Sequence, residues 1–112
     1  MKVASDLMVD IPTLHYDDYV TKARSVLRDD VFREVYVVDE KDRLRGYLDI
    51  TDVLRVVDTK SNVTIKGFVR EAARAGPETS LAEAGVAIMN ARTNSAAVVN
   101  EDGVYQGGVL FS

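Results

Sequence analysis

Two carboxylates three residues apart, Asp49 and Asp52, follow the run Gly46-Tyr47-Leu48 and precede Val53 and Leu54. An acid at the first of these places can cap a helix by accepting a backbone N–H. An acid three residues later sits in the first turn, where the helix dipole favours negative charge. The same carboxylates are equally able to accept hydrogen bonds from a ligand. Other chemistry is sparse. His15 is the only histidine and the chain has no cysteine, so no thiol nucleophile or thiolate metal site can be built, and no Ser–His–Asp set assembles. Gly107-Gly108 lies inside an apolar strand pattern, without the spaced glycines and lysine of a phosphate loop. It marks a close approach of a ligand or of another part of the chain. The acidic pairs Asp17-Asp18 and Asp29-Asp30 read as solvation of a helix start and a helix end. Lys41, Arg43 and Arg45 alternate along a strand and read as a solvated, edge-protecting face.

The elements that must position these residues are written twice. Val37-Val38-Asp39-Glu40 returns 61 residues later as Val98-Val99-Asn100-Glu101, and Gly46 to Asp49 returns as Gly107 to Leu110. The same offset pairs Leu7 with Phe68, Met8 with Val69, Val20 with Leu81, Ala23 with Ala84 and Leu27 with Ile88, with no gap. Two copies of one supersecondary unit imply a pseudo-symmetric body with a cleft between equivalent surfaces. Asp18 opens a helical pattern through Val20, Ala23 and Leu27. Ser80 and Glu83, at capping-box spacing, open its counterpart. Val35 to Val38 reads as a buried strand, Asp39 to Asp42 as a turn, Leu44 to Leu48 as an antiparallel strand and Thr51 to Val57 as a helix. Ala96 to Val99, the turn at Asn100 to Gly103, and Val104 to Leu110 repeat the hairpin. Thr59 to Asn62 joins the copies, and Val63 to Ile65 reads as a short strand leading into a helical turn near Phe68 and Val69. The expectation is an α+β domain of two β-α-β-β-α units packed sheet to sheet, residues 1–61 and 62–112. The second unit lacks its last helix, so a chain excised from a longer one is expected.

Length and composition agree with one shared core: 112 residues, 46% hydrophobic and 29% charged. Fourteen Lys and Arg against 18 Asp and Glu give a net charge of −4, which argues against a nucleic-acid groove built on bulk charge. Residues 1–6 lack the apolar core of a signal peptide, and no run is long enough to span a membrane. The default reading is a cytoplasmic protein.

The strand ending Val-Val-Asp, the run Gly46-Tyr47-Leu48-Asp49-Ile50-Thr51-Asp52-Val53-Leu54 and the 61-residue period together resemble a tandem pair of CBS (cystathionine-β-synthase-type) domains, the Bateman module. The resemblance implies a regulatory, non-catalytic module. Its clefts would hold an adenosine derivative such as AMP, ADP, ATP or S-adenosylmethionine, its usual assembly is a homodimer, and it biases an attached or partner effector. No cofactor is required. By the same resemblance Asp52 falls at the position of a ribose-binding acid. Asp49 stands where the family places a phosphate-binding hydroxyl. Arg33 lies near a basic phosphate contact, and Thr64, Asn94 and Ser95 fall among cleft-lining positions. Tyr47 is placed to stack on a base or fill the cleft. Asp49 is a departure: two like unit charges about 4 Å apart repel by roughly 1 kcal/mol in water and about 4 kcal/mol near a protein surface, so it opposes phosphate. Leu110 is a second departure. Both departures also suit an alternative, a structural dimerisation module that binds no ligand.

Overall fold

The structure, a computed structural model, describes residues 1–28, 32–56 and 63–111. The expected helix-end acids Asp29-Asp30, Val57 and the connecting residues 59–62 lie outside these. The apolar run predicted as a strand forms β2 (Glu34–Val38), antiparallel to β3 (Leu44–Asp49). A three-residue strand, β1 (Thr13–His15), lies parallel on the other side of β2. Two helices, α1 (Val20–Arg28) and the short α2 (Ile50–Leu54), accompany this sheet. The second half repeats the order as β4 (Ala73–Ala75), α3 (Leu81–Ala91), β5 (Ser95–Val99) and β6 (Tyr105–Leu110), again with the sheet order β4-β5-β6.

Equivalent side chains do equivalent local work. Asp39 accepts from the N–H groups of Lys41 and Arg43 at 2.9 and 3.0 Å, and Asn100 from those of Asp102 and Val104 at 2.9 and 3.0 Å. These paired bonds fold each hairpin turn. The turns need one residue with positive φ, supplied by Asp42 in the first (60°) and Gly103 in the second (82°). Ser80 caps α3 by accepting from the Glu83 N–H, as its spacing predicts.

Three local expectations differ from the structure. Asp18 does not cap α1: its carboxylate turns back to the His15 N–H at 2.7 Å, and its carbonyl accepts from the Ile65 N–H. The stretch Val63 to Ile65 is no strand; Thr64 forms one bridge to Tyr19, and a 3₁₀ turn follows at Ile65–Phe68. The leading strand expected in each unit is present as β1 and β4, but its place was not legible, because three residues are too short for an alternation to register and Ala-Arg-Ala has little strand propensity.

The two halves exchange their leading segments. Val3 bridges Ser80 and Tyr19 bridges Thr64; Val9 bridges Gly108 and Tyr47 bridges Arg70. Each bridge becomes its companion when shifted by one repeat, so the start of each half lies on the other half. Across the pseudo-twofold axis itself, the Leu44 N–H donates to the Gly103 carbonyl and the Tyr105 N–H to the Asp42 carbonyl, both at 2.9 Å. Between the sheets a mixed cluster of Ile11, Tyr36, Leu44, Tyr47, Ala72 and Ala97 forms the seam. One core cluster, around Leu14, Val35, Val37, Leu48 and Val53, covers the first sheet. Behind the second sheet the buried side chains are mostly small: Ala73, Ala75, Ala84 and Ala96 with Ile88, Val98 and Val109. Among the described residues no helix is long and apolar enough to cross a membrane.

Candidate functional site at the seam between the halves

β3 delivers Asp49 to the start of α2, where its carboxylate accepts from the Thr51 N–H at 2.8 Å and the Thr51 hydroxyl at 2.6 Å. Asp49 is therefore the helix cap that its position predicts. One turn later Asp52 meets a residue from the other half. Arg70 Nε donates to Asp52 Oδ2 at 2.7 Å and Arg70 Nη2 to Oδ1 at 2.6 Å, a bidentate pair. The Arg70 guanidinium hydrogen-bonded to Asp52 holds its carboxyl below the usual carboxylate range, and Asp52 in turn raises Arg70. Backbone pairing explains the placement: Tyr47 and Arg70 exchange both N–H···O bonds at 2.9 Å. Gly46 permits it, since a Cβ there would collide with the Arg70 carbonyl. Tyr47 is buried in the seam, and burial pushes its hydroxyl up.

Three of these groups have different counterparts at the matching positions. Gly108 replaces Tyr47, Leu110 replaces Asp49 and Val9 replaces Arg70. The Gly107-Gly108 doublet does mark a close approach, by Met8, Val9, Ile11 and Tyr36 of the same chain.

A second cluster lies on the axis, where the starts of β2 and β5 face each other. Glu34, only 6% exposed, reaches across to the second half. Its Oε1 accepts from the Ser95 hydroxyl at 2.8 Å, and its two oxygens share the Asn94 N–H at 3.2 and 3.1 Å. Ser95 Oγ also shares a hydrogen bond with the Tyr36 hydroxyl at 2.5 Å. Burial pushes the Tyr36 phenol far above its ordinary value, so it stays a neutral donor. Beside this network lies a cavity of about 360 Å³ lined by Phe32, Arg33, Glu34, Asn94, Ser95, Leu110 and Phe111. Both halves contribute to it. Its size falls at the lower end of small-molecule sites.

The sequence-derived candidates thus divide. Tyr47, Asp49 and Asp52 gather at the end of β3 with Arg70. Arg33 and Ser95 line the axial cavity with Asn94 and Leu110. Thr64 sits on its bridge to Tyr19, makes no cap bond and is not part of the cavity lining. His15, half-buried, ends β1 at 4.0 Å from the Asp17 carboxylate. Arg43 pairs with Asp39 at 3.1 Å, and Arg45 covers the Tyr16 ring at 4.1 Å. Sequence reasoning missed Arg70 and Glu34. The one available signal for Arg70 was a charge standing where the first copy has Val9; Glu34 read as the polar edge of an apolar strand.

The model of the CBS domain family matches residues 4–59, half of the chain. The chain belongs to the CBS domain family. Its second half repeats the fold of the first, and the whole is a CBS domain pair. Solved structures agree in fold. A hemolysin-like protein containing a CBS domain from Oenococcus oeni PSU matches with a TM-score of 0.84 at 22% identity, over 97% of this chain and 84% of that one. A CBS domain pair/ACT domain protein from Thermotoga maritima matches with a TM-score of 0.84 at 17% identity, over 97% and 89%. The CBS domain of the bacterial CNNM/CorC family Mg2+ transporter matches with a TM-score of 0.79 at 14% identity, over 95% and 68%. No curated protein matches the sequence.

Proposed function

We propose that this CBS pair is a regulatory module that binds an adenosine derivative, of the AMP, ADP, ATP or S-adenosylmethionine class, in the axial cavity and thereby biases a linked or partner protein. The observation that carries the reading is the shared lining: Phe32, Arg33 and Glu34 from one half, Asn94, Ser95, Leu110 and Phe111 from the other. A guest held by both halves binds best when they stand in one mutual arrangement. It shifts the population toward that arrangement by its differential affinity, which is what regulation of an attached protein requires. Asp52 plays a smaller part than its motif position implied, because a ribose at that carboxylate must first displace Arg70. The exposed apolar side chains Leu54, Val86 and Met89 on α2 and α3 support assembly with a second copy through the outer helix faces. Calorimetric and melting titrations with AMP, ADP, ATP and S-adenosylmethionine test the reading. Saturable heat with a raised melting temperature for one of them is expected. Absence of both at millimolar ligand would leave the dimerisation alternative.

A further inference from the structure

We infer that Glu34 is a specificity-determining residue of the axial cavity, and that the cavity selects a planar group presenting N–H donors over one presenting a carbonyl at the same edge. The inference rests on the reading of that cavity as a small-molecule site. The cavity walls are mostly apolar, Phe32, Leu110 and Phe111, and suit the faces of a flat ring. The polar lining is the Glu34–Ser95–Asn94 network, with Arg33 at the exposed side of the cavity. A carboxylate offers about four acceptor positions and no donor. Glu34 Oε1 is engaged by the Ser95 hydroxyl, whereas Oε2 receives only a share of the Asn94 amide at 3.1 Å. Oε2 therefore retains acceptor capacity, and among the described residues the partners of Glu34 are an amide and a hydroxyl, neither of them a cation. An amino or amidine edge entering the cavity completes this carboxylate. A carbonyl there would bring two acceptors together with no proton between them, beside the buried Glu34 and Ser95 side chains. Nothing in the repeat dictates this choice, because the equivalent position in the second half is Ser95.

Three nucleosides that differ at the six-position edge test the point on the full chain: adenosine with an amino group, inosine with a carbonyl there and an N–H on the neighbouring ring nitrogen, and purine riboside with a bare C–H and no N–H at that edge. Calorimetry on the unaltered chain is expected to rank adenosine first, above both inosine and purine riboside. Adenosine and purine riboside should differ by at least about tenfold in Kd, as for a site built to accept an N–H. Glu34→Gln keeps a carbonyl oxygen for Ser95 and can turn an NH₂ toward the cavity, so the preference should shrink to about threefold or less, or reverse toward inosine. Circular dichroism and the melting curve establish that the variant folds, and the ranking on the unaltered chain stands without it. Equal affinities for adenosine and purine riboside, or an unchanged ratio in folded Glu34→Gln, overturn the inference while leaving the cavity a nucleoside site. Binding of none of the three overturns the inference together with the reading beneath it.

Discussion

The two halves share a backbone plan and divide the chemistry between them. In the first, Tyr47 fills the seam, Asp49 caps α2 and Asp52 is clasped by Arg70 from the other half. In the second, Gly108 and Leu110 stand at the positions of Tyr47 and Asp49, and Leu110 lines a cavity with Phe111. The cores divide in the same way, with Leu48, Val35 and Val53 behind one sheet and several alanines behind the other. The contrast teaches that a repeat conserves its hydrogen-bond frame and not its site. The frame is the hairpin turns, the exchanged leading segments and the axis contacts, all of which recur at matched positions. What each cleft presents is decided by single side chains placed on that frame.

The frame itself offers the sharpest break. Gly46→Ala drives a methyl into the Arg70 carbonyl, a backbone atom that cannot step aside. It is expected to destabilise by upwards of about 3 kcal/mol. Gly107→Ala meets mainly the Met8 side chain, which can move, so its cost should be about 1–2 kcal/mol. Urea denaturation of both variants measures the difference, and equal costs would mean that the two approaches are equally rigid.

The unequal cores come next. Leu48 and Val109 occupy equivalent buried positions. Leu48→Ala should cost about 3 kcal/mol and Val109→Ala about 1.5 kcal/mol, following the volume removed. A larger loss at Val109 would contradict the view that the second core is the more lightly packed.

Asp49→Ala removes a cap and is expected to cost about 1 kcal/mol; Leu110→Ala, exposed and capping nothing, should change stability by less. The smallest effect concerns the clasp. The folded carboxyl of Asp52 is depressed by Arg70, so its stabilisation is present above the unfolded carboxylate value of about 4 and is lost as pH falls through the lower folded value. Melting curves of the unaltered chain and Asp52→Asn should differ at neutral pH and converge in acid. Divergence on acidification would reverse the sign and remove the clasp from the account.

Much of the frame was legible in the sequence. The Asp39 and Asn100 turns, the β2–β3 and β5–β6 hairpins, the Ser80 cap and the Asp49 cap all follow from residues within four positions of each other. The site was legible only in part, because its decisive contacts span the repeats. Arg70 reaches Asp52 from 18 residues away, and Glu34 reaches Ser95 from 61. Periodicity reports which face of an element is buried, not which element of the other half will lie on it. The exchange of leading segments sets those partners, and it arises from bridges such as Tyr47 to Arg70 that leave no local spacing to read.

The central claim is that a small molecule sits where both halves touch it. Backbone amide chemical shifts of isotope-labelled chain, followed while adenosine is added, test this most directly. The account predicts saturable shifts at Phe32 to Glu34 and at Asn94, Ser95 and Phe111 together, with one shared Kd. Shifts confined to one half, or none at saturating nucleoside, would contradict it.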